Sequence, residues 1–196
     1  QARRGERFAA LHILLLLLNS AFCLIALGDL LYDQHRNYLT LALLLLSATY
    51  LGMMRLAPPS PLRLPFAAMA LTAATLAIPV QLEGEWIAIA WAIEGAALAY
   101  SGFRSSNPSL RGAGLILFVL AALTLISDLP DGGALLLNAR FATFAVLTAC
   151  LGLAALWAFR ATETLSSNER AGFGAAGVAT NIFAVWGLSL ELWDVF

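Results

Sequence analysis

The chain has 196 residues, is 61% hydrophobic and 12% charged, and carries a formal net charge of -1. Soluble domains carry about 25% charged residues, so the composition excludes an ordinary soluble globule, and nothing in the near-neutral balance supports nucleic-acid binding. All eleven basic residues are arginine, which excludes chemistry that needs a lysine amine, a retinal Schiff base included.

The sequence opens at Gln1 rather than Met, and Arg3, Arg4 and Arg7 precede a first apolar run over 8–28. That run is too long for a signal-peptide core and reads as a first transmembrane helix; the missing Met suggests a trimmed subunit or a fragment. Six more runs follow, over 38–56, 62–80, 86–103, 110–127, 140–159 and 171–190. Each is rich in Leu and Ala and longer than the 9–11 residues or so of a barrel strand. Only helices and closed barrels satisfy their backbone inside lipid. The expected fold is therefore all-α, a polytopic transmembrane helix bundle of about seven spans forming a single domain over 1–196. Pro58, Pro59 and Pro61 break the chain after the second run. Pro65 suits a first turn, and Pro79 is expected to end the third helix. Asn107-Pro108 and Asp131-Gly132-Gly133 mark turns around the fifth.

Orientation follows from arginine. Arg3, Arg4, Arg7, Arg55, Arg63, Arg104, Arg111, Arg160 and Arg170 fall on one side of the predicted topology, and only Arg36 and Arg140 on the other. The N-terminus is thus expected to be cytoplasmic and Phe196 external. The outer side carries an acidic rim of Asp29, Asp33, Asp128, Asp131, Glu191 and Asp194, with Glu83 and Glu85 near it. Three outward helices end alike, in Asp29-Leu-Leu-Tyr-Asp33, Asp128-Leu-Pro-Asp131 and Glu191-Leu-Trp-Asp194. Asn19 and Asn181 each lie ten residues before the first acid of such an ending. These echoes predict a weak internal helix-pair repeat.

Glu94 falls near the middle of the 86–103 run, where a charged carboxylate costs roughly 2.5–3.5 kcal/mol on insertion scales. Asn19 and Asn181 fall at similar depth in their runs, so the three side chains are expected to form an intramembrane polar layer. That layer reads either as an interhelical hydrogen-bond clamp or as a protonatable transport site. The acidic rim reads either as solvated helix ends or as a cation-binding or catalytic surface. Gly172, Ala176 and Thr180 recur at i, i+4 and i+8, a small-residue stripe that admits close helix approach. Cys23 and Cys150 sit inside apolar runs and read as packing residues. His12 and His35 lie at opposite ends of the first span, which leaves no haem pair. Trp86, Trp157 and Trp193 fall near interfaces, as belt residues do. No metal-ligand cluster, phosphate loop or nucleophile–base pair is seen, so no cofactor and no catalytic residue is expected.

The block Ile78-Pro79-Val-Gln81-Leu-Glu-Gly84-Glu-Trp86 through Ala90-Trp91-Ala-Ile-Glu94-Gly95 is distinctive in order and spacing. So are Ser109-Leu-Arg111-Gly112-Ala-Gly114 and Leu137-Asn138-Ala-Arg140-Phe141. Over about 79–196 these resemble a bacterial family of large, multi-spanning membrane proteins carrying a domain of unknown function. Ala139 stands where that pattern leads one to expect proline. The resemblance implies a bacterial inner-membrane location and further helices, in the same protein or in partner subunits. It carries over no catalytic residues. Three functions remain open at this level: a non-catalytic helical module in a larger membrane assembly, a proton-coupled or small-solute transporter using Glu94, and a membrane enzyme acting on lipid-linked substrates at the acidic rim.

Overall fold

The computed structural model describes residues 36–56, 63–130 and 138–193, together with Phe22 and Ala26. Among the described residues there are six α-helices and no strand: α1 (Arg36–Leu56), α2 (Arg63–Gln81), α3 (Glu85–Arg104), α4 (Pro108–Ser127), α5 (Ala139–Arg160) and α6 (Ser167–Trp193). A 3-10 turn, Thr162–Thr164, links the last two. Five of the six are long and apolar enough to cross a bilayer; α2 is apolar but shorter by the same measure, over Pro65–Gln81. These helices coincide with the second to seventh predicted runs. The first run lies outside the described residues except for Phe22 and Ala26, both helical.

Two helix ends depart from expectation. Pro79 does not end α2, which continues to Gln81. Proline forfeits one N–H, but the ladder resumes beyond it, with the Leu82 amide donating to the Ile78 carbonyl at 2.8 Å. α6 begins four residues before the predicted start, because Ser166 and Glu169 cap it reciprocally. The Ser166 amide donates to Glu169 Oε2 at 3.0 Å, and the Glu169 amide donates to Ser166 Oγ at 3.3 Å.

The chain divides between Leu82 and Glu83 into two compact units. In the first, α1 and α2 pack as a hairpin around Leu39, Leu43, Ala77 and Val80, and around Tyr50, Met69 and Ala70. Ser47 Oγ donates to the Ala70 carbonyl at 2.7 Å in the buried seam. At one end Arg36 Nε donates to the Val80 carbonyl, beside a 3.1 Å bond from Thr40 Oγ1 to Gln81 Oε1. The arginine thereby satisfies a carbonyl of the last turn of α2, which has no partner within its own helix.

In the second unit α3 packs along α4 and against α5, and α5 packs along α6. The α3 seam is Ala88, Ala92, Gly95, Ala99 and Gly102, all buried and alternating at four and three residues. The facing seam on α4 is Arg111, Gly114, Phe118, Ala121 and Leu125, with the same alternation. The backbones nearly touch. A methyl group built on Gly114 would lie 2.7 Å from the Gly95 carbonyl oxygen, and one on Gly95 would lie 3.1 Å from the Gly114 carbonyl oxygen. Larger side chains at these positions would force the helices apart. α5 and α6 close on Gly187 against Phe144, and the rings of Phe144, Phe183 and Trp186 cluster at 5.3–6.1 Å between centroids.

Candidate functional site

Two ion pairs, one fully and one partly buried, mark the two ends of the second unit. At one end Arg111, on the first turn of α4, donates from Nε to Glu169 Oε1 at 2.7 Å. α4 starts there because Asn107 Oδ1 accepts from the Ser109 amide and Pro108 occupies the first helical position. Arg111 is 4% exposed and stands 5.6 Å over the Phe103 ring, whose centroid is 5.1 Å from that of Phe173. Gly102 makes room for it, since a methyl group there would lie 2.6 Å from Arg111 Cγ. Glu169 precedes the apolar stretch that starts at Ala171. Its Oε2 also accepts from the Ser166 hydroxyl at 2.9 Å.

At the other end Arg140, on the first turn of α5, donates from Nε to Glu191 Oε1 at 3.2 Å and from Nη2 to the Leu190 carbonyl at 3.3 Å. Asn138 works in two directions: its Oδ1 accepts from the Phe141 amide at 2.7 Å and caps α5, while its Nδ2 donates to Glu191 Oε2 at 2.7 Å. A carboxylate at a helix C-terminus is unfavourable with its own dipole. Here the N-terminus of α5, Arg140 and Asn138 together supply the compensating positive field. Glu191 is 3% exposed, so it belongs to a buried clamp and not to an open acidic surface. From Glu169 to Glu191 is 22 residues of α6, roughly 33 Å at helical rise, close to the hydrocarbon thickness of about 30 Å.

Two of the three residues of the predicted polar layer are described. Glu94 lies midway along α3 and is half-buried, with Oε2 enclosed by protein. Asn181 is exposed and turns its amide to its own helix, donating to the Gly177 carbonyl at 3.0 Å. Asn19 lies outside the described residues. Of the predicted rim, Asp29, Asp33, Asp131 and Asp194 also lie outside them, and Asp128 is an exposed cap residue whose amide donates to the Thr124 carbonyl. The small-residue stripe faces neighbouring helices. Gly172 lies against Leu115 of α4, Ala176 is buried, and Thr180 lies against Gly152 of α5. Cys150 is a half-buried free thiol in α5.

Sequence reasoning placed Arg111 at the start of the fifth run, among the arginines of one side, and missed both ion pairs and the α3–α4 glycine seam. Three signals were present: the Ser166-x-x-Glu169 capping box, the asparagine two or four residues before each buried arginine, and the small residues at 88, 92, 95, 99 and 102. Among the described residues no group of His, Cys, Asp or Glu could hold a metal ion. In comparisons with family models, curated proteins and solved structures, nothing matches this chain.

Proposed function

We propose that this chain is an integral membrane helical module, of about seven spans with a cytoplasmic N-terminus, that packs within a larger assembly of the bacterial inner membrane and does not itself catalyse a reaction. One observation carries the reading. Ile116, Val119, Leu123 and Ile126 form an exposed apolar stripe along α4, and Val178, Ile182, Val185, Leu188 and Leu192 form another along α6. In water such surfaces would be an aggregation hazard; in lipid they are the solvated face. Every described charge except Glu94 lies at or near a helix end or in a connection. The polar groups of Arg111, Glu169, Asn138, Arg140 and Glu191, three of them buried, are used to join helices. Exposed Trp86 and Trp193 stand at helix ends, in keeping with an interfacial belt. The resemblance over 79–196 and the helix-pair echoes agree with further repeats beyond this chain.

Transport through Glu94 is the second reading, favoured by a carboxyl oxygen enclosed at mid-helix. A proton-flux assay on the purified chain in liposomes separates the two. The module reading expects flux no greater than in empty liposomes, for wild type and Glu94→Gln alike. A wild-type proton flux that Glu94→Gln abolishes, with thermal stability retained, would overturn it and assign Glu94 to transport.

A further inference from the structure

An apolar groove of about 520 Å³ opens between α5 and α6 beside their connection. Its walls include Phe159 on α5, Thr162 and Leu165 in the connection, and Phe173, Gly174 and Gly177 on α6. Arg170 lines it as the one charged residue, and it is exposed. Its guanidinium makes no ion pair with any described residue, and the nearby acids do not answer it. Glu169 is engaged by Arg111 and Ser166, and Glu163 is exposed in the connection and does not line the groove. Arg160, also exposed, ends α5 next to the same connection.

Length and polarity together select an occupant. From Ser167 at the connection to Gly177 is ten residues of α6, about 15 Å at helical rise. That is one leaflet of a hydrocarbon core about 30 Å thick. In the membrane-embedded reading the cation sits at the connection end, nearest the membrane surface, and the apolar walls run inward from it. Gly174 leaves the groove open, since a methyl group built there meets nothing within 4 Å. We infer that this groove binds one anionic glycerophospholipid, with an acyl chain along Gly174 and Gly177 and the phosphate at Arg170. The inference rests on the membrane-embedded reading and adds a specific lipid partner to it.

The test is native mass spectrometry of the whole chain in neutral detergent, titrated with dioleoylphosphatidylglycerol or dioleoylphosphatidylcholine. One basic residue near a membrane surface corresponds to about a fivefold preference for the anionic lipid. Arg170→Gln should bring the two lipids to parity, and Gly174→Leu should lower the binding of both by filling the groove. Glycerol 3-phosphate, the head group without chains, should not displace the lipid. Equal affinity of the wild type for both lipids, or an undiminished preference in Arg170→Gln, overturns the proposal. So does displacement by glycerol 3-phosphate, which would assign the site to a free anion. Arg170 is exposed and makes no ion pair with a described residue, so that variant stays informative even where Gly174→Leu fails to fold. Carbonate extraction of the wild type from membranes is the separate control: release into the soluble fraction defeats the embedding itself, whatever the lipid affinity.

Discussion

A buried guanidinium and a buried carboxylate are each costly alone and tolerable together, which decides what happens when one is removed. Glu191 accepts from Arg140 and Asn138, and Arg140 also donates to the Leu190 carbonyl. Arg140→Met leaves a carboxylate 3% exposed without its cation. The expected loss is about 3–5 kcal/mol, because an uncompensated charge remains in a desolvated place. Replacing both partners, Arg140→Met with Glu191→Leu, removes the stranded charge and should recover most of that loss. Denaturant titration in detergent micelles, with helicity as the readout, gives the three values needed. A double variant no better than Arg140→Met would mean that the pair is not coupled as the geometry states.

At the scale of the element, helix contacts here depend on which glycine is enlarged. Gly114 faces the Gly95 carbonyl and the Ala99 amide, both backbone and unable to yield. Gly172 meets only the far end of the Leu115 side chain, and Gly112, two residues from Gly114 on the same helix, meets nothing. The order of damage expected on substitution to leucine is therefore Gly114, then Gly172, then Gly112. Overpacking costs typically 1–3 kcal/mol, about the loss expected at Gly114. At Gly112 leucine should be neutral or stabilising, since it also improves helix propensity by up to about 1 kcal/mol. Thermal melts of the three variants in one detergent rank them. Equal melting of the Gly114 and Gly112 variants would contradict the α3–α4 seam.

At the scale of the whole molecule, the ion pairs agree with an alternating topology inside the second unit. Arg111 and Glu169 bring the starts of α4 and α6 together, and Arg140 and Glu191 bring the start of α5 to the end of α6. Exposed Arg104, Arg160 and Arg170 then share the Arg111 end, while the opposite end holds Arg140, which is buried. The arginine rule predicts that the first end is cytoplasmic. In a variant with Cys23 and Cys150 replaced by alanine, a membrane-impermeant maleimide added from the non-cytoplasmic side should label a cysteine placed at Gly132 and spare one at Ser106. The reverse pattern would invert the topology.

The sequence by itself determined the helices from the second run onward, because twenty or so apolar residues punctuated by proline, glycine and asparagine leave the backbone no other way to satisfy itself in lipid. It determined the charge asymmetry too, since arginine position relative to a span is a property of order alone. It did not determine which face of each helix turns inward. In a soluble helix the polar side announces the outer face; apart from Glu94, Arg111 and the helix ends, α3 and α4 are apolar on every side, so the inward seam differs from the outer side chiefly in size. Small residues at 88, 92, 95, 99 and 102 carried that difference faintly. Nor did order alone distinguish Arg111 from Arg104, or Glu191 from Asp128: each pair has the same charge and sits near a helix end. Only the tertiary structure decided, because burial and pairing depend on a partner 58 residues away for Arg111 and 51 away for Arg140.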